Sequence, residues 1–251
     1  MSMKKRALQI ALFLAVMLLT FYALFSGRDL SEIGRALMGM SFWYLIPSIA
    51  LAVFFVCAEG FMIWYLLRSM KAQKEGYKAS TLPRCIQYSF IGFFYSGITP
   101  SATGGQPVQL YYMNKDGNRG SDSTVVLMTV AVAYKFVLVV MGLGILLFWL
   151  NPLRQELGNY FPLYLLGLAL NVILVILILG VMLFPKVILK LALLFEGLFI
   201  RLKIWKPSEK REEKINGFID SYQQAVTWLK DHKGSLLVVI FVTFLQRCSV
   251  F

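Results

Sequence analysis

Long apolar runs alternate with short polar joints along this chain. The runs cover Ala7–Phe25, Phe42–Leu67, Thr124–Leu150 and Phe161–Phe184, and a last one starts near Ser235 and is still apolar at Phe251. Runs of this kind, close to 20 residues or more, predict helices that cross a hydrocarbon core about 30 Å thick. The pattern therefore predicts an all-α polytopic membrane protein with about five full transmembrane helices. Trp43 and Tyr44 open the second run, and Trp64 and Tyr65 close it. At ~1.5 Å per residue that separation is about 32 Å of helix, which sets an aromatic pair at each interface.

One apolar stretch is broken from within. Between Cys85 and Met113 lies Ile98-Thr99-Pro100-Ser101-Ala102-Thr103-Gly104-Gly105-Gln106-Pro107. A helix from Cys85 to Ile98 rises only about 21 Å, too short to cross. Pro100 disfavours helical geometry at Thr99, and Pro107 suits the first turn of a new helix. Irregular backbone at membrane depth survives only where protein covers it or water reaches it, and broken helices of this sort hold substrate in many transporters. The alternative is an extramembrane loop between two short helices.

Charge decides how the broken segment lies. Lys4, Lys5 and Arg6 precede the first run, and Arg68, Lys71, Lys74, Lys78 and Arg84 follow the second, with Glu75 alone opposing them. Residues 186–233 hold ten Lys or Arg against six Asp or Glu, whereas 26–41 and 151–160 are near neutral. If residues 85–113 enter and return, every basic joint stays on the cytoplasmic side, as the positive-inside rule requires. The expectation is a re-entrant helical hairpin over 85–113 and a cytoplasmic N-terminus. The first run is longer than a signal-peptide core and lacks a clear cleavage site, so it reads as a retained helix.

The 251 residues are 58% hydrophobic and 15% charged, against about 25% charged in an average soluble domain. The net charge of +12 then reads as topology and contact with anionic lipid, not as nucleic-acid binding. Cys57, Cys85 and Cys248 are scattered, and His232 is the only histidine, which excludes His-based triads and multi-His metal sites. No metal or other cofactor is expected. Ile215, Phe218, Ile219, Tyr222, Val226 and Leu229 form a helical stripe within residues 208–233, with Ser208 as a cap and an end near Gly234. The stripe predicts an amphipathic helix on the membrane surface, or one packed on a neighbouring cytoplasmic loop.

Three charges fall where hydrocarbon is expected: Glu59, Lys135 and Arg247. Each costs about 2.5–3.5 kcal/mol at a helix centre, so each should face protein or water. One reading is a structural Glu59–Lys135 ion pair with Arg247 snorkelling; the other is a polar cavity beneath the hairpin where Lys135 or Arg247 holds an anionic head group. Asn171 suggests an interhelical hydrogen bond. The break offers Ser101, Thr103, Gly104, Gly105, Gln106 and Pro107 to a phosphate, with free amides from Val108 onward. Tyr111 and Tyr112, with Phe93, Phe94 and Tyr95, are candidates to line acyl chains.

Trp64-Tyr65-Leu66-Leu67-Arg68, the aromatic stretch Phe90 to Tyr95, and the Pro/Gly-rich break followed by Gln109-Leu110-Tyr111-Tyr112-Met113 resemble the flippase-like membrane domain of lysylphosphatidylglycerol synthases. The resemblance covers essentially the whole chain, 1–251. Many relatives carry a Pro-Gly-x-x-Gly-Glu type break; here Gln106 stands where a Glu is usual, which removes an acid from that position. The resemblance implies a bacterial plasma membrane and the movement of an aminoacylated phosphatidylglycerol, or a related anionic or polyprenyl lipid, between leaflets. It also implies about six to eight spans, so the native chain is expected to continue past Phe251. A phosphatidylglycerol lysyltransferase would need a sizeable soluble domain beyond this membrane half. The implied partners are a phospholipid, the membrane, and a soluble synthase domain or a partner enzyme for which the chain is a scaffold.

Overall fold

In a computed structural model the structure describes residues 35, 39, 41–71, 80–99, 102–184 and 209–249. The regular structure among them is helical throughout: α1 (Phe42–Lys71), α2 (Leu82–Ile98), α3 (Gly105–Lys115), α4 (Gly120–Phe148), α5 (Leu150–Leu157), a 3-10 turn at Gly158–Tyr160, α6 (Phe161–Leu183), α7 (Glu209–Asp231) and α8 (Lys233–Cys248). Three stretches are long and apolar enough to cross a membrane, Trp43–Met70, Gly120–Phe148 and Leu150–Leu183. The protein is a membrane protein. The first expected span, 7–25, lies outside the described residues, as do Ser208 and the basic joint at 186–208. Helix α8 has 16 described residues, about 24 Å, short of the core thickness.

Two boundaries differ from the sequence pattern. The joint at 151–160, expected as a loop, is the short helix α5 and the turn that leads into α6. Pro152 sits in the first turn of α5, where a backbone N–H has no helical acceptor and its loss costs nothing. Helix α4 starts at Gly120, ahead of the expected Thr124, and buries Ser121, Asp122 and Ser123. Asp122 there meets the positive end of the helix dipole, which suits a polar sequence to a helix start.

The tight core lies at one end of the bundle. Met62, Ile63, Leu66 and Leu67 of α1 pack there with Tyr88 of α2, Met113 of α3, Val125 and Val126 of α4, and Tyr222 of α7. Farther along the same spans the apolar side chains are open: Trp43 is 80% exposed, Leu163 63% and Ile176 64%, surfaces suited to lipid. Helix α8 runs antiparallel to α1, with Thr243 Oγ1 donating to Met62 Sδ at 3.1 Å and Gln246 Nε2 to the Phe55 carbonyl at 2.6 Å. Helix α6 runs antiparallel to α4, joined where the Tyr164 hydroxyl donates to the Gly142 carbonyl at 2.7 Å.

The stripe on α7 is covered by protein. Ile219, Tyr222, Ala225, Val226 and Leu229 are buried, and the Tyr222 hydroxyl reaches Met128 Sδ at 3.5 Å and the Met182 carbonyl at 3.3 Å. The stripe therefore lies on the ends of α4 and α6, neither turned to the membrane surface nor packed on a loop. Burial against α4 and α6 removes the same apolar area from water that lipid would have covered.

Gly60 sets how closely α1 approaches α2. A Cβ there would sit 2.6 Å from the Ile86 Cα, a backbone atom that cannot turn aside. Gly60→Ala is expected to lower stability by about 1–3 kcal/mol in a detergent-unfolding titration, as overpacking does. Gly144→Ala, with nothing within 4 Å of the added methyl, should be neutral or raise stability by up to about 1 kcal/mol. Equal effects of the two would mean that α1 and α2 do not meet at Gly60.

Candidate functional site

Helices α2 and α3 form an antiparallel hairpin, and the expected break at 99–104 is its tip. Thr99 holds the tip together. Its hydroxyl donates to the Tyr95 carbonyl at 2.6 Å and accepts the Gly104 N–H at 2.9 Å, tying the end of α2 to the start of α3. Ala102 adopts φ 56°, a left-handed conformation that costs a non-glycine residue about 1–2 kcal/mol. Pro100 and Ser101 lie outside the described residues.

The two tip glycines serve close packing. A Cβ on Gly104 would lie 2.5 Å from Thr99 Cγ2, and one on Gly105 would collide with Ser96 Oγ and the Gly92 carbonyl. Gly92 in turn faces the Gln109 side chain across the hairpin. A side chain on either glycine would run into the hairpin itself, while the backbone of Gly105 also borders a cavity beside the tip. The expected run of free amides also moves. The Val108 N–H bonds the Gly104 carbonyl at 3.2 Å, so Gly105 and Gln106 carry the first-turn amides without helical acceptors.

The open end of the hairpin is clamped. Arg84 Nε and Nη2 donate to the two oxygens of Asp116 at 2.5 and 3.0 Å, and the Tyr88 hydroxyl donates to the same carboxylate at 2.5 Å. Asn118 Nδ2 adds bonds to Ser80 Oγ at 3.0 Å and to the Met113 carbonyl at 2.8 Å. Hydrogen bonding from Arg84, and less from Tyr88, holds the Asp116 carboxyl below the ordinary carboxylate range, so the clamp is ionised at neutral pH. The start of α2 and the end of α3 thus stand side by side, with the tip at the far end.

Beside the tip is a cavity of about 490 Å³. Glu59 of α1, Gly105, Gln106 and Gln109 of α3, and Lys135 of α4 line it together with Arg247 of α8. All three charges expected in hydrocarbon therefore converge on one space with the broken segment. The expected Glu59–Lys135 ion pair does not form. Glu59 Oε1 accepts from Gln109 Nε2 at 2.8 Å, and Lys135 Nζ donates to Asn171 Oδ1 at 3.2 Å. Gln109 is near enough to reach Glu59 because Gly92 leaves room for it, and Asn171 gives Lys135 a neutral partner on α6.

Arg247 is held differently. Its guanidinium lies 3.6 Å from the Tyr134 ring centroid and 4.8 Å from that of Phe55, so two aromatic faces carry the cation. Its Nε is buried without a hydrogen-bond partner, and no acceptor among the described residues takes a bond from the group. Arg247 faces the cavity. With Lys135 it gives the cavity two cations against the one carboxylate of Glu59. Such walls favour an anion, and a guanidinium presents a fork that matches phosphate oxygens.

The remaining expected site residues divide. Phe93 of α2 lines the cavity, and so does Ser96, which was not expected. Thr103 and Pro107 are exposed at the tip, and Gly104 is at the hinge. Tyr111 is 62% exposed and edge-on to Tyr112 at 5.4 Å, while Tyr112 packs against the core. Neither tyrosine belongs to the cavity wall, because α3 turns Gly105, Gln106 and Gln109 that way. Phe94, 63% exposed, also points elsewhere and meets Tyr95 edge-on at 5.5 Å. Gln109, Tyr134 and Gln246 were not expected. Gln109 had a readable signal, a polar residue four places after Gly105 and so on the same helical face.

The profile of the family described as the lysylphosphatidylglycerol synthase TM region matches residues 6–251, and the chain belongs to that family. No curated protein and no solved structure matches the chain.

The bond between Glu59 and Gln109 joins the hairpin to α1. A double-mutant cycle of Glu59→Ala and Gln109→Ala should return a coupling of about 0.5–1.7 kcal/mol, the range of interhelical hydrogen bonds in membranes. The same cycle with Glu59→Ala and Lys135→Met should give less. A larger coupling for the second pair would restore the direct ion pair and remove Gln109 from its role.

Proposed function

We propose that the chain moves a phospholipid between leaflets, with the cavity beside the hairpin tip as the station for its phosphate. The lipid is an aminoacylated phosphatidylglycerol or a related anionic or polyprenyl lipid, and the membrane is the bacterial plasma membrane. The observation that carries this reading is the Arg247 guanidinium, fixed between two rings, without a protein acceptor among the described residues, and facing a cavity of head-group size. A charge costly to bury is retained here outside any salt bridge with a described residue, with Glu59 acting on it only from across the cavity, and a transient anionic ligand explains that. Lys135 adds a second positive charge, and Gln106 and the first-turn amide of Gly105 add donors.

In this proposal the hairpin is re-entrant. Its clamped end sits at the cytoplasmic face and its tip at membrane depth, where hydrogen bonds from Thr99 satisfy the broken backbone. The N-terminus is cytoplasmic. Family membership supports a second reading, in which the chain is the membrane half of a lysyltransferase or a scaffold for a lipid- or glycan-assembly enzyme, and presents lipid to a soluble partner. Nucleic acid does not bind the membrane region directly in either reading.

Transport is testable in liposomes that carry a fluorescent anionic phospholipid with dithionite quenching of the outer leaflet. Arg247→Ala should slow translocation about 10- to 100-fold, the scale of one charge-assisted hydrogen bond, and Arg247→Lys should recover part of it. Tyr111→Ala, outside the cavity, should transport normally. A folded Arg247→Ala protein that moves lipid at the normal rate would refute the phosphate station.

Topology has its own check. Cysteines introduced at Ala79 and Ser221 should both resist an impermeant thiol reagent in intact cells. Labelling of either would make the hairpin a crossing and reverse the later loops.

A further inference from the structure

A second cavity, of about 230 Å³, lies on the other side of α4, where α4, α6, α7 and α8 meet. Its character is opposite to that of the first. Ala133 and Phe136 of α4, Met182 of α6, Leu229 of α7 and Val239 of α8 are among its lining residues, and among the described residues Lys230 is the one charged residue that touches it. Lys230 is exposed and makes no ion pair among the described residues. A water-filled space with such walls would strand water without partners, whereas hydrocarbon fits them.

Its depth identifies the occupant. Met182 and Leu183 close the last turn of α6, and Leu236, Val239 and Ile240 lie in the first two turns of α8. The space therefore extends inward by about two helical turns, ~10 Å, from the level at which α6 ends and α8 begins. Lys230, on the last turn of α7, stands above it at that level. A basic residue at the membrane boundary over an apolar shaft is complementary to one molecule type, a phospholipid with a negative head group and an acyl chain below.

We infer that this cavity holds one acyl chain of a resident anionic phospholipid whose phosphate pairs with Lys230. This lipid is not the transported one. It fills the seam that α7 leaves where it meets α4, α6 and α8, and so fastens α7 to those helices. The inference is independent of the transport reading, because none of its residues lines the cavity beside the hairpin tip except through the shared helices α4, α6 and α8.

The test uses the full chain in nanodiscs, with phosphatidylglycerol or phosphatidylcholine bearing a diazirine halfway along one acyl chain, followed by peptide mapping of the photoproducts. Phosphatidylglycerol should label Leu236, Val239 and Ile240 well above phosphatidylcholine. Lys230→Gln should reduce that labelling about fivefold, the scale of one basic residue against an anionic lipid. Ala133→Leu should block labelling by filling the shaft, while Leu237→Ala, on the outward face and 67% exposed, should leave it unchanged. If Ala133→Leu fails to fold, Lys230→Gln decides alone. Equal labelling by the two lipids, full labelling of Lys230→Gln, or no labelling at these residues would each overturn the inference, by showing ordinary surrounding lipid or a seam closed by protein.

Discussion

A helix interrupted among apolar spans must find partners for the backbone groups it releases, and the architecture around the hairpin follows from that requirement. Thr99 supplies the first partners with one hydroxyl that donates to Tyr95 and accepts from Gly104. This bridge works only if the two chain directions come close, hence the missing side chains at Gly104, Gly105 and Gly92. Close approach at Gly92 in turn admits Gln109, whose amide crosses to Glu59. A carboxylate in α1 is thereby explained by a break forty residues later. The chain of dependence runs from a backbone donor to a buried charge.

The same arrangement leaves charge over. Glu59 is turned toward the hairpin and Lys135 toward Asn171, so neither neutralises the other. Arg247 rests on Tyr134 and Phe55, whose ring faces attract a cation but accept no strong hydrogen bond. Had Glu59 and Lys135 paired, the cavity would have held one closed ion pair and a lone arginine. As built, it keeps donors directed at a common volume. A protein that only needed stability would do as well with apolar residues of similar size at these positions.

Much of this was legible in the residues, and the failures have physical causes. The two prolines and two glycines located the break to within a few positions. The three charges in apolar runs pointed to a shared space, as their cost in hydrocarbon requires. Which of them would touch was not legible, because Gln109 and Asn171 are neutral residues whose importance lies in reach alone. That Tyr111 and Tyr112 lie off the cavity wall was not legible for a related reason. Aromatic type says nothing about which side of α3 a residue occupies, and the face carrying Gly105 and Gln109 is the one turned inward. The α7 stripe showed the correct periodicity, but periodicity does not distinguish lipid from protein as the apolar partner.

Helix α4 shows why two cavities of opposite chemistry stayed hidden in one apolar run. Leu127, Val130, Ala131 and Tyr134 face the cavity that contains Lys135 and Arg247. Thr129, Val132, Ala133 and Phe136 face the cavity below Lys230. Each set recurs at intervals of three, one and three residues, so two helical faces are interleaved within the same ten positions. Lys135 apart, both faces are largely apolar, and a hydrophobic average over the run cannot separate them. Beyond Lys135, which α4 itself supplies, the difference between the cavities comes from what the neighbouring helices bring: Glu59, Gln109 and Arg247 on one side, and Met182, Leu229 and Val239 on the other. The helix most central to the bundle is thus a partition, and its chemistry is assigned by its neighbours.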